Sequence, residues 1–322
     1  MNDIAILLAT YQGARYVEQM LESLEGQTCK EFVCYIHDDG SDDGTNEIVD
    51  RWIANHPTRF RRLVGPVQGS ARDNFLWMLS MVDATYYMFA DQDDVWLPQK
   101  IEKSLACLTQ TLGKCIGFAQ SEEPPVCVFT DMYVTDAELH VTDASFIRYS
   151  YIGRDPHRVA CAQIIIDNPA AGCTMLFNRP LREAALQLQD SSRVEMHDVW
   201  VLALAAAYGK QHVGVVDEPL MYYRQHGANE MGAKSETIGH KILRNVGDIL
   251  TGKLRGDKQA FIMQARNLAG QLCLVDSLPE EQKKMLSAFA QVGKLPKGQR
   301  VRFYKNNGFT RLHGTTWMYF WV

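Results

Sequence analysis

An α/β fold built on a doubly wound, mostly parallel sheet is predicted by three observations on this 322-residue sequence. Unbroken apolar runs of strand length, the first at residues 4–8, alternate with stretches whose apolar residues recur at helical spacing. Strands covered on both faces read as such continuous runs, whereas strands with one wet face alternate. The early runs also end in polar, Asp-rich loops, and in open α/β sheets the crevice beyond the strand ends is where ligands bind.

Residues 4–8 form the first strand, with a polar turn at 9–13 and a helix from Ala14 that buries Val17, Met20, Leu21 and Leu24. The second strand, 32–36, closes on His37-Asp38-Asp39-Gly40-Ser41 and is followed by a helix turning Ile48, Val49, Trp52 and Ile53 inward. A short strand at 63–64 leads to a helix over 71–81. The strand at 86–89 closes on Asp91-Gln92-Asp93-Asp94, and Leu97-Pro98 introduces a helix over 100–112. Another buried strand, 126–129, ends at Thr130-Asp131. Residues 136–168 lack strong periodicity and read as a long excursion over the site. A strand at 172–177 and a helix at 181–188 follow. Asp198 then precedes an Ala/Leu-rich buried helix stopped by Gly209, and strands at 213–216 and 219–223 close on Arg224-Gln225-His226-Gly227.

Charge divides the chain. Residues 234–322 hold 15 Lys/Arg against 6 Asp/Glu, while residues 1–233 hold 18 against 32. A catalytic domain at 1–232 and a basic, mainly helical extension at 233–322 are therefore expected. The extension suits an anionic membrane surface or a solvated helical face; basic strands interleaved with aromatics are absent, so no nucleic acid is expected. The aromatic end, residues 317–322, suits docking on the core or a membrane interface. Eight scattered cysteines with no Cys-x-x-Cys pair, no signal-like N-terminus and no apolar run near ~20 residues indicate a cytoplasmic protein without a membrane span.

The crowded carboxylates Asp91, Asp93 and Asp94 repel one another unless a cation or hydrogen-bond donors stand between them. A divalent metal holding a phosphorylated ligand would satisfy them, as would an acidic turn capping the next helix. No Gly-x-Gly-x-x-Gly, Walker sequence or Ser nucleophile elbow is present, which excludes the common dinucleotide, P-loop and serine-hydrolase sites.

The ordered set Thr10-Tyr11, Asp38-Asp39-Gly40-Ser41, Asp91-Gln92-Asp93-Asp94, His197-Asp198-x-Trp200 and Tyr223-Arg224-Gln225-His226 resembles the family 2 glycosyltransferases of the GT-A fold, in particular the bacterial rhamnosyltransferase-like group. The resemblance runs from residue 1 to about 232. It implies that Thr10, Tyr11, Asp38 and Asp39 hold the base and ribose of a nucleotide-diphospho-sugar donor, with Arg72, Asn74, Asp91 and Gln92 also at the nucleotide. It further implies that Asp93, with Asp91 and His226, holds Mn²⁺ or Mg²⁺ against the diphosphate, and that Asp94 orients the turn. Asp198 would be the base of an inverting transfer, a role compatible with a plain helix N-cap. Asp131, His197, Trp200 and Arg224 are candidate donor or acceptor contacts.

The implied reaction moves a sugar, best matched by L-rhamnose from dTDP-L-rhamnose, to a glycan or lipid-linked surface polysaccharide. A UDP-hexose or UDP-N-acetylhexosamine donor is the alternative within that class, and a non-catalytic sugar-nucleotide or glycan-binding module the alternative outside it. Two departures from the family pattern stand out. Gln12 replaces the usual Asn after Thr-Tyr, and the Gln-x-x-Arg-Trp of processive synthases is missing.

Overall fold

A computed structural model of the protein describes residues 3–115, 123–150, 157, 159–226 and 253–309. Its centre is one nine-stranded sheet. The strands are β1 (Ile4–Thr10), β2 (Phe32–Asp38), β3 (Phe60–Arg62), β4 (Tyr86–Asp91), β5 (Val95–Trp96), β6 (Cys127–Thr135), β7 (Val141–Asp143), β8 (Met175–Asn178) and β9 (Val213–Arg224). The order is β3-β2-β1-β4-β8-β6-β9-β5, with β7 on β6. Strands β1 to β4 are mutually parallel, β8 is inserted antiparallel between β4 and β6, and β9 is parallel to β6. The sheet is thus mostly parallel, as predicted.

Alternation along β1 splits the core between two faces. Ile4, Ile6 and Leu8 pack with α1 (Val17–Glu25), α2 (Thr45–Asn55) and α4 (Lys100–Lys114). Ala5 and Leu7 face the other layer, with α3 (Ala71–Met81), α6 (Cys161–Ile166), α7 (Arg179–Ala185) and α8 (His197–Tyr208). Each such aliphatic side chain contributes about 1.5–3 kcal/mol by leaving water. Three further helices join this second layer: α9 (Lys253–Leu272), α10 (Glu280–Ala290) and α11 (Lys297–Asn306). Ile262, Leu268 and Leu272 of α9 are buried, as are Phe289 of α10 and Tyr304 of α11. The expected domain boundary at 232/233 and the aromatic end at 317–322 lie outside the described residues.

Local chemistry sets several boundaries. Helix α3 starts as predicted because Ser70 Oγ accepts Asp73 N–H at 3.1 Å and donates to Asp73 Oδ2 at 2.8 Å, a reciprocal cap. Other positions differ from expectation. The third strand lies at Phe60–Arg62 rather than 63–64, because Phe60 pairs with Cys34 of β2 and fills the core, while Val64 is 86% exposed. Within residues 136–168, read from the sequence as a long excursion, the described residues form β7, α5 (Phe146–Ser150) and α6, and Ile164, Ile165 and Ile166 are buried. The segment 172–174 is a 3₁₀ turn ahead of β8, β6 runs on to Thr135, and the two late strands are one strand, β9, with breaks in its register against β6.

Candidate active site

Register places the strand ends side by side. Thr10 lies opposite Asp38 across β1 and β2, and Ala9 lies opposite Asp91 across β1 and β4. Thr10 Oγ1 donates to Asp38 Oδ2 at 2.8 Å. The same carboxylate accepts Gly40 N–H (3.1 Å), Ser41 N–H (2.8 Å), Ser41 Oγ (2.6 Å) and Asn46 Nδ2 (3.0 Å). Burial works to raise the Asp38 pKa, but the hydrogen bonds from Ser41, Thr10 and Asn46 outweigh it and hold the pKa below the usual value. Five protein donors therefore converge on Asp38, and its carboxylate shapes the loop. Asp39 accepts the N–H groups of Gln68 and Gly69, tying residues 68–69 to the same edge.

Gln12, the departure from the family pattern, has φ 49°, in the left-handed region where Asn is favoured over Gln. Ser41 Oγ accepts its N–H at 2.8 Å and Asp42 Oδ1 accepts its Nε2 at 2.7 Å, which holds it there. Gln92 clamps the neighbouring residue: its Oε1 accepts Tyr11 N–H at 2.9 Å and its Nε2 donates to Tyr11 O at 2.6 Å. The Tyr11 ring stays 58% exposed at the rim. A Cβ at position 13 would fall 1.9 Å from Gln92 Oε1, so a larger residue there would displace the Gln92 amide from Tyr11.

The acidic loop divides into two groups. Asp93 Oδ2 accepts from His226 Nε2 at 2.7 Å, and the imidazole stacks on Tyr16 at 4.9 Å. Arg224 braces this pair from beneath: its guanidinium lies 4.6 Å over Tyr16 and donates to Asp93 O (2.8 Å), Gln19 Oε1 (2.6 Å) and Ala137 O. Asp91, Asp94 and Cys173 form the other group, each offering a ligand atom within 4.8 Å of the rest. Asp94 is fully buried, and its Oδ2 has no hydrogen-bond partner. Burial, then the Asp93 and Asp91 carboxylates, push its pKa well up. Its Oδ1 accepts Arg224 N–H at 3.4 Å, which ties the loop to the end of β9.

The three expected ligands are not gathered at one point: Asp93 pairs with His226, while Asp91 groups with Asp94 and Cys173. The carboxylate oxygens and the imidazole are donors of a kind that would suit a divalent cation.

Asp198 stands on the first turn of α8, behind Met196 at the N-cap, so it is not the cap itself. Its Oδ2 accepts Gly172 N–H at 3.0 Å and its Oδ1 accepts Val199 N–H at 2.6 Å. Burial raises its pKa to about 6 against those two hydrogen bonds. His197 beside it is buried against Phe75 (4.2 Å) and Phe89 (4.6 Å), and neither ring nitrogen has a hydrogen-bond partner. Burial drives its pKa down to about 3, so the ring is neutral.

The remaining predicted residues lie deeper or elsewhere. Arg72 pairs with Asp73 at 2.8 Å and donates to Val194 O at 3.2 Å, and the pairing lowers the Asp73 pKa to about 2. Buried Asn74 accepts from His37 Nδ1 at 2.8 Å. Asp131, buried, accepts from Ser145 Oγ and from Ile147 N–H at 3.2 Å, which pins the start of α5. Trp200 is a core residue: it is fully buried and donates its indole N–H to Ala185 O at 3.0 Å. Asp131, Trp200 and Asn74 are thus buried, and their polar atoms are engaged within the protein.

Comparison with known proteins bears on the fold and the family resemblance. The family model for glycosyl transferase family 2 matches residues 5–139. A dTDP-rhamnosyl transferase, RfbG of Shigella flexneri, is 25% identical over 236 residues, 70% of this chain and 74% of that protein. A glycosyltransferase of Nostoc sp. is 23% identical over 260 residues, 79% of this chain and 74% of the relative. The crystal structure of S. aureus TarS in complex with UDP-GlcNAc superposes with a TM-score of 0.55 at 13% identity, covering 95% of this chain and 80% of that one. Over residues 5–139 the chain is thus similar to glycosyl transferase family 2.

The fold is of the GT-A type expected from the resemblance. Its most consequential unpredicted residue is Lys100, at the start of α4 and fully buried. The ammonium donates to Cys173 O at 2.6 Å and lies 4.4 Å over the Trp96 ring. Burial lowers its pKa to about 8, opposed by the carboxylates of Asp94 and Asp91. A lysine at a helix start reads as a surface residue. The only hint in the sequence is its nearness to three carboxylates that need a cation. Cys173, in an apolar run, and Tyr16 and Gln19, on α1 and the turn before it, carried no signal at all.

Proposed function

We propose that the protein is a metal-dependent, inverting glycosyltransferase. It would take a sugar from a nucleotide-diphosphate donor, with dTDP-L-rhamnose the best match, to a growing surface polysaccharide on a lipid carrier. The observation that carries this reading is the Asp198 carboxylate, held by Gly172 N–H at 3.0 Å beside Cys173, which groups with Asp91 and Asp94 at the strand ends organised by Thr10, Asp38 and Gln92. The rhamnose assignment is supported by the name of the Shigella relative and by the motifs shared with the rhamnosyltransferase-like group.

In the proposed reaction the ionised Asp198 carboxylate takes the proton of an acceptor hydroxyl as that oxygen bonds to the anomeric carbon. The bond from that carbon to the donor phosphate breaks, and its electron pair leaves with the nucleoside diphosphate. One displacement inverts the configuration and needs one base. Backbone N–H groups of Gly172 and Val199 hold the carboxylate in place, and its burial keeps it basic enough to accept a proton. Mn²⁺ or Mg²⁺, held by Asp93, Asp91 and His226, would supply Lewis-acid neutralisation of the departing diphosphate. Tyr11, clamped by Gln92, offers its exposed ring to the base.

Residues 1–232 are proposed as the catalytic domain and 233–322 as an extension that keeps the enzyme at the inner face of the plasma membrane. Among the described residues no helix is long and apolar enough to cross a membrane, so the association would be peripheral. A donor panel read by nucleotide release tests the assignment. Turnover is expected with dTDP-L-rhamnose ahead of UDP-hexoses and UDP-N-acetylhexosamines, and a preference for a UDP-sugar would replace rhamnose while keeping the reaction class.

A further inference from the structure

After Glu281 the sequence contains no Asp or Glu, and residues 282–322 carry eight Lys or Arg. Helices α10 and α11 display part of this charge around an open groove. A cavity of about 640 Å³ lies there, lined by Lys283, Lys284, Lys294, Leu295, Phe303 and Cys273 among others. Lys283 is already engaged, donating to Asp276 O at 2.8 Å and pairing with Glu280 at 3.3 Å. Lys284 and Lys294 are exposed, as are Lys297, Arg302 and Lys305 on α11. Leu295 is 37% exposed, and Phe303 is half-buried between the groove and the core. An apolar floor with a cationic rim suits an amphiphile whose polar end is anionic.

The groove belongs to a part of the molecule fixed to the catalytic side. Gln271 of α9 accepts Asp190 N–H at 3.0 Å, Gln187 accepts Asp276 N–H at 2.9 Å, and Tyr208 at the end of α8 hydrogen-bonds Ser277. Asp190 leads into the segment that ends at Asp198, and Tyr208 ends the helix that Asp198 begins. A surface held by α10 and α11 would therefore stand in a set relation to the proposed base.

We infer that this groove is a membrane-docking site, which takes the anionic phospholipid headgroups of a bilayer between Lys284 and Lys294 while the exposed Leu295 meets the interfacial layer. This rests on the proposed transfer to a lipid-linked acceptor and adds the residues that would bring the two together. A basic side chain near an anionic bilayer is worth a factor of about five in affinity, so two together are worth about 30-fold.

The test is co-sedimentation of the full chain with phosphatidylglycerol and with phosphatidylcholine vesicles. Binding to the anionic vesicles alone, weakened by salt, is expected. Lys284→Gln and Lys294→Gln should each weaken it about fivefold and the double variant about 30-fold, with thermal unfolding unchanged. Equal binding by the double variant, or no binding by the natural chain, would overturn the inference. Displacement by millimolar inorganic phosphate would also overturn it, in favour of a soluble phosphorylated ligand. Vesicle binding is read without catalysis, and nucleotide release from a soluble donor without vesicles, so failure of either reading is visible separately.

Discussion

His226 Nε2 lies 2.7 Å from Asp93 Oδ2, although 133 residues separate them in sequence. Arg224 and Tyr16 hold both members, one through Asp93 O and the other through the imidazole face. The pair joins the end of β9 to the acidic loop after β4, so the proposed metal site spans both halves of the sheet. Removing His226 would leave Asp93 in place and take away one ligand. His226→Ala is expected to weaken Mn²⁺ binding about 10- to 100-fold. Manganese titration followed by electron paramagnetic resonance reads this directly, independent of turnover.

The raised pKa of Asp198 has a definite sign in activity. Only the ionised carboxylate can accept a proton, so kcat should rise with pH up to about 6 and level above it. Asp198→Asn should lose that limb and about 10²–10⁴-fold in kcat. A pH–rate profile without an acidic limb in the natural enzyme would remove Asp198 from the role of base.

Gly172 sets the position of that base. A Cβ on residue 172 would fall 2.6 Å from His197 Nε2 and 3.4 Å from Asp198 Cβ. Gly172→Ala should therefore shift the start of α8 and cost about 10²-fold in kcat with little change in donor KM. A change confined to donor KM would place position 172 at the nucleotide instead.

Lys100 holds the buried half of the acidic loop. Lys100→Met leaves Cys173 O without its donor and Asp91 and Asp94 without their internal cation, and should cost about 3–5 kcal/mol. Urea unfolding measures this. A loss below about 1 kcal/mol would mean that Asp94 is neutral and needs no counter-charge.

The parts of this site readable in the sequence are those where chemistry is local. Asp38, Asp91, Gln92 and Asp93 announce themselves as polar residues closing apolar strands, and Ser70 marks the start of α3 within a single turn. The parts that were hidden depend on distant partners. Phe60 is in a strand because Cys34 pairs with it, while the equally apolar Val64 has no partner strand and stays exposed. Trp200 looked like a ligand contact and is a core residue, because the period of α8 does not say which of its apolar faces meets α7. Lys100 was illegible for the opposite reason: burial of a charge depends on carboxylates folded around it.

The central claim, transfer of a sugar from a metal-bound nucleotide-sugar by this acidic loop, is tested most directly by nucleotide release from dTDP-L-rhamnose and UDP-sugars with and without Mn²⁺. The natural enzyme and Asp93→Ala should be compared. Turnover is expected to require the metal and to fall at least about 10²-fold in Asp93→Ala. Turnover that proceeds without metal and is unchanged by Asp93→Ala would contradict it.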